Sequence, residues 1–72
     1  MLGDKEKQIL GILSANALMR KEELVRAMKG VGVEDGIPRV QKLQELGYVS
    51  LINTIGSYCY ALTRDGMRVL KT

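Results

Sequence analysis

The order of patterns in the second half of the chain leaves few ways to fold it. A helix-like run, Val40-Gln41-Lys42-Leu43-Gln44-Glu45-Leu46-Gly47, passes directly into Tyr48-Val49-Ser50-Leu51-Ile52, and the chain later resumes as Tyr58-Cys59-Tyr60-Ala61-Leu62 before Thr63-Arg64-Asp65-Gly66. Val49 and Leu51 alternate with Ser50, while Tyr58, Tyr60 and Leu62 alternate with Cys59 and Ala61. That period of two belongs to strands with one buried face. Asn53-Thr54-Ile55-Gly56-Ser57 between them is turn chemistry. The order is therefore helix, hairpin, helix. Thr63 is placed to cap the final helix over Arg64 to Lys71, with Met67, Val69 and Leu70 supplying its apolar contacts.

Two shorter helices precede this unit. Asp4 can cap the first, predicted from Lys5 to about Ser14, because a short carboxylate accepts from unpaired first-turn amides. Ile9, Ile12 and Leu13 then share one face. Ala15-Asn16-Ala17 reads as a break, with Asn16 able to turn left-handed. Leu18 and Met19 lead to the cluster Arg20-Lys21-Glu22-Glu23 and a second helix that buries Leu24, Val25 and Met28. Gly30 fits the position just past that helix, and Gly30-Val31-Gly32-Val33 makes the turn into the next. The third helix is predicted to start near Glu34 and Asp35, because their charges suit a helix N-terminus and Pro38 is tolerated only in a first turn. Gly36, Val40, Leu43 and Gly47 form its inward stripe; Pro38, Gln41, Lys42 and Glu45 face outward, with Arg39 on the flank.

Size and composition narrow the functional classes. A chain of 72 residues is one domain, residues 1–72, without internal repeat or linker. It buries only about 60% of its unfolded surface, which favours surface binding over catalysis in a deep cleft. The charged fraction of 26% with net charge +3 favours anionic partners. A single cysteine excludes an internal disulfide, and the absence of histidine removes the usual zinc sets and His-based triads. No metal, cofactor or enzymatic activity is expected. Paired acids such as Glu22-Glu23 point to different faces of a helix and cannot serve one substrate. No apolar run reaches the ~18 residues of a membrane span, and no secretory leader is visible, so a reducing cytoplasmic setting is expected.

Two spaced motifs now stand out. The chain resembles winged helix-turn-helix transcription regulators of the bacterial and archaeal MarR- and PadR-like kind. In these the third helix often ends Leu-x-x-Leu-Gly-aromatic/aliphatic-Val/Ile, here Leu43-Gln44-Glu45-Leu46-Gly47-Tyr48-Val49. They also tend to close the wing with Tyr-x-Leu-Thr-x-x-Gly, here Tyr60-Ala61-Leu62-Thr63-Arg64-Asp65-Gly66. The similarity covers nearly the whole chain. It implies an α+β fold with a three-helix core, a two-stranded β wing and a C-terminal helix. It also implies binding of double-stranded DNA, with the third helix in the major groove and the wing along the backbone.

On that implication Pro38, Arg39, Gln41 and Lys42 face the groove. Gln suits adenine, and Arg or Lys suits guanine. Arg20 and Lys21 are placed to clamp a phosphate. Asn53, Thr54, Ser57 and Tyr58 offer hydrogen bonds or stacking to phosphate and sugar from the wing. Charge is distributed unevenly. From Glu34 to Glu45 two cations, Arg39 and Lys42, stand against Glu34, Asp35 and Glu45, while the positive balance lies in Lys5, Lys7, Arg20, Lys21, Arg26, Lys29, Arg64, Arg68 and Lys71. Pairing of these cations with Glu22, Glu23 and Asp65 is the alternative use for them. No charge occurs between Leu46 and Thr63. A strand face of Ser50, Ile52, Cys59 and Ala61, read as exposed, then suits a protein partner or a homodimer through the wing or C-terminal helix. The second functional expectation is accordingly a protein-interaction module of a larger nucleic-acid-processing assembly.

Overall fold

The computed structural model describes residues 3–16 and 18–71. The elements are α1 (Asp4–Ala15), β1 (Met19–Arg20), α2 (Lys21–Gly30), α3 (Gly36–Glu45), β2 (Val49–Thr54), β3 (Ser57–Leu62) and α4 (Arg64–Lys71). Among the described residues four helices therefore accompany one antiparallel sheet, ordered β1-β3-β2. The sheet has three strands rather than the expected two. Met19 pairs with Tyr60 and Arg20 with Cys59, so a two-residue segment too short to show periodicity becomes an edge strand.

α1 is the hub of the helical layer, packing against α2, α3, α4 and β3. Ile9, Leu10 and Leu13 are buried from it, with Ile12 packed at the margin. Gly3 rather than Asp4 is the N-cap, and Asp4 joins Glu6 as first-turn acid, where the helix dipole favours negative charge. Asn16 is extended, not left-handed, and its side-chain amide donates to the Ile12 carbonyl at 2.9 Å. Ala17, part of the expected break, lies outside the described residues.

The two helix endings that flank α3 use the same device. After α2 the Val33 amide donates to the Met28 carbonyl (2.8 Å) and the Gly32 amide to Lys29 (3.1 Å). After α3 the Tyr48 amide donates to Leu43 (2.9 Å) and the Gly47 amide to Gln44 (3.0 Å). Gly32 and Gly47 carry φ of +84° and +85°. These are Schellman motifs, which need a left-handed residue two past the last helical one. Gly32, not Gly30, thus ends α2. Gly47 is exposed and belongs to the cap rather than the inward stripe. α3 starts at Gly36, two residues after the predicted Glu34, and Gly36 lies against the Met28 side chain.

The core joins Ile9, Leu10 and Leu13 to Met19, Leu24, Met28, Val33, Val40, Leu43, Val49 and Tyr60. Alternation along the hairpin holds for Val49, Ser50 and Tyr60, with Leu62 packed at the core margin, and fails at Leu51, Tyr58 and Cys59. Leu51 is 43% exposed and Cys59 only 7%. β3 is the central strand, flanked on both sides, whereas β2 is an edge whose burial stops after Val49. Cys59 is consequently not part of an exposed strand face. A two-residue turn, Ile55-Gly56, joins the strands, so Asn53, Thr54 and Ser57 are strand residues. Thr63 takes its predicted capping role. Its hydroxyl accepts from the Gly66 amide (3.0 Å) and donates to the Gly47 carbonyl (2.7 Å), tying α4 to the end of α3. No helix among the described residues is long and apolar enough to cross a membrane.

Candidate nucleic-acid interface

The inward stripe of α3 determines what the helix shows to solvent. With Val40 and Leu43 fully buried, Pro38, Gln41, Lys42 and Glu45 are left exposed. Arg39, between the two faces, has a different occupation. Its Nε donates to Asp35 Oδ1 at 3.1 Å and its Nη1 to Glu6 Oε1 at 3.0 Å, bracing α3 against α1. The guanidinium beside Asp35 holds that carboxyl below its ordinary value, and Asp35 and Glu6 in turn raise Arg39. Lys42 is left as the α3 cation without an ion pair among the described residues.

A pH dependence follows from Asp35. Its folded-state pKa lies below the ordinary 3.8, so the carboxylate stabilises the fold at every pH above that value. The contribution disappears as pH falls through the depressed pKa. Asp35→Asn should therefore melt below wild type at neutral pH, with the gap closing below pH 3.8. The effect is small, because Asp35 is exposed and solvent screens the pair. Thermal unfolding of both proteins across the acid range checks it; a constant gap would mean that the Asp35–Arg39 contact carries no weight.

The start of α2 is built differently. Arg20 is the N-cap, and its backbone amide donates to Glu23 Oε1 at 3.0 Å, which uses that carboxylate within the cap. The guanidinium of Arg20 and the ammonium of Lys21 stay outside it. Pairing of Arg20 with Cys59 across β1 and β3 then sets this corner beside the tip of the hairpin. Arg20, Lys21, Glu22, Gly56, Ser57 and Tyr58 line one open cleft of about 360 Å³. Lys21 and Glu22 also line a second, of about 480 Å³, continuing along α2 past Val25, Arg26 and Lys29. The two make a continuous band bordered by four cations and one carboxylate. Both are open rather than enclosed.

The cations of the band are not consumed by neighbouring acids. Among the described residues Asp65 pairs with Arg68 at 3.8 Å, while Glu22 and Glu23 form no ion pair. Of the predicted site residues, the structure brings Arg20, Lys21, Ser57 and Tyr58 together, and sets Pro38, Gln41 and Lys42 on one face of α3. It separates others from that role. Arg39 is held by carboxylates, and the Thr54 hydroxyl donates to the Ser57 carbonyl at 3.3 Å inside the hairpin. Asn53 stays exposed on β2. Sequence spacing does not mark Gly56 or Glu22 as lining residues. Gly56 is visible as turn chemistry, but its approach to Lys21 depends on the β1–β3 pairing. No known protein family, curated protein or solved structure matches the chain.

Proposed function

We propose that this domain binds double-stranded DNA without catalysis, as a winged helix-turn-helix that serves in transcription regulation. The observation that carries the reading is the basic band joining the start of α2 to the hairpin tip. In this geometry Arg20, Lys21, Arg26 and Lys29 neutralise successive phosphates, and Ser57 and Tyr58 meet backbone and sugar. α3 offers Gln41 and Lys42 to the major groove, where one suits adenine and the other guanine. Element order supports the same reading: α2 and α3 form the helix-turn-helix and the β2–β3 hairpin follows as the wing. Arg39 is a brace in this scheme and Lys42 the principal cation of the reading helix.

An NMR titration of labelled protein with a mixed-sequence duplex, at low and moderate salt, tests it. Shifts concentrated at Arg20-Lys21, Gln41-Lys42 and Ser57-Tyr58, fading steeply with salt, are the expected result. Lys21→Ala should weaken binding to all duplexes alike and reduce the log-log salt slope by about 0.9, the share of one phosphate. Gln41→Ala should leave the slope unchanged and relax preference at one base pair. Absence of shifts at low salt, or shifts at α4 alone, would overturn the DNA reading. The second reading, a protein-docking module, would then stand on the uncharged hairpin, where Leu51, Ile52, Ile55 and Tyr58 are each exposed.

A further inference from the structure

β2 is the outer strand of the sheet, and the way it pairs with β3 determines which backbone groups it leaves open. The Thr63 amide donates to the Tyr48 carbonyl at 3.1 Å, in the register that pairs Val49 with Leu62 and Thr54 with Ser57. Tyr48 and Thr63 are thus a hydrogen-bonded pair. Antiparallel ladders alternate such pairs, so Ser50, Ile52 and Thr54 bond to β3 while Val49, Leu51 and Asn53 turn their N–H and C=O groups away from it. No turn, cap or side-chain hydrogen bond among the described residues reaches those three backbones.

Edges of this kind are normally blunted by charge, proline or a bulge. β2 has none of these. Its six residues Val-Ser-Leu-Ile-Asn-Thr are neutral, the register with β3 is continuous, and Leu51 and Ile52 are 43% and 39% exposed. We propose that β2 is a homodimerisation edge, on which a second copy of this chain adds its own β2 antiparallel about a two-fold axis at Leu51.

The register follows from the outward groups. Directly opposite residues of an antiparallel pair share a face, so a two-fold axis normal to the sheet places a residue opposite itself. Centring on Leu51 sets Leu51 against Leu51 of the second copy, Val49 against Asn53 and Asn53 against Val49. All three are outward-facing residues, and each pair exchanges two N–H···O bonds. Centring on Ile52 would form only two such pairs within the strand, Leu51 with Asn53 and Asn53 with Leu51, and would set the leucine against a polar side chain. The central leucines meet with Cα atoms ~5.5 Å apart, covering apolar surface that the single chain leaves wet. Both chains carry net charge +3, yet no charged residue lies between Leu46 and Thr63 to repel the partner at this edge. The sheet would run continuously through six strands. This surface is separate from the band on α2, so it stands whether or not DNA is the ligand.

Sedimentation equilibrium of the full chain over a range of concentrations, with amide hydrogen exchange at both ends of that range, tests the assignment. Association to twice the 8.0 kDa chain mass is expected. The amides of Val49, Leu51 and Asn53 should gain protection with concentration, while those of Ser50, Ile52 and Thr54 stay protected throughout. Leu51→Lys should weaken the dimer by about tenfold or more, because like charges then sit directly opposite each other. Its monomer ladder is untouched, so the circular dichroism spectrum should match wild type. A single-chain mass at every concentration would overturn the proposal. So would a dimer that Leu51→Lys leaves intact, or one in which the three alternating amides exchange freely.

Discussion

Leu10→Ala is expected to destabilise the domain by about 3 kcal/mol, the middle of the range for emptying a buried leucine site. Leu10 is fully buried on α1, the helix that packs against α2, α3, α4 and β3, so no single neighbour can close the space. The loss has two parts: the removed methyl groups no longer leave water, and the surviving neighbours lose contacts across the cavity. Stability of roughly 0.05–0.15 kcal/mol per residue gives a chain of this length about 4–11 kcal/mol in all. One substitution then removes a large share of it, and the melting temperature should fall by about 15 °C. Urea unfolding measures the difference directly. A loss below about 1 kcal/mol would mean that Leu10 is not at the centre of the core.

Leu10 also illustrates what periodicity can and cannot convey. The i, i+3, i+4 pattern identifies Ile9, Ile12 and Leu13, yet Leu10 is more buried than Ile12. A helix covered by partners on several sides buries a wider arc than one stripe, and the number of partners is a tertiary fact. The hairpin shows the same limit. Its existence is legible because turn residues separate two alternating runs, but its register is not, since the turn is Ile55-Gly56 rather than Asn53 to Ser57, and alternation does not reveal which strand is central. Cys59 is buried and Leu51 exposed because β1 arrives on the far side of β3. Met19 and Arg20 announce that strand with no pattern of their own, some 40 residues upstream of their partners. The candidate interface divides in the same way. Pro38, Gln41 and Lys42 share a face by helical spacing alone. The meeting of Arg20 and Lys21 with Gly56 and Tyr58 requires β1, and the capture of Arg39 by Glu6 requires α1 packed on α3.

Gly66→Ala should be nearly as damaging as the loss of Leu10, although it adds a methyl group and improves helix propensity. Gly66 is the buried third residue of α4, and a Cβ at that position meets the Tyr48 carbonyl oxygen, with Leu62 Cδ1 at 2.7 Å and the Tyr48 carbonyl carbon at 3.1 Å. Leu62 can shift, but the Tyr48 carbonyl is fixed. It accepts the Thr63 amide at 3.1 Å, and Thr63 in turn caps α4 through the Gly66 amide and holds the Gly47 carbonyl. Relief of the clash therefore means lifting α4 from the sheet and from α1. The expected cost is about 3 kcal/mol, at the upper end for overpacking because backbone rather than side chain must yield. α4 amides should lose hydrogen-exchange protection first. Gly11→Ala is the matched control. Gly11 lies inside α1 with nothing within 4 Å of the place its new methyl group would take, so the same substitution there should stabilise by about 0.5–1 kcal/mol. Opposite signs for one chemical change would locate the effect in the contact with Tyr48. Equal, small effects would show that α4 does not dock as closely as the Gly66 geometry requires.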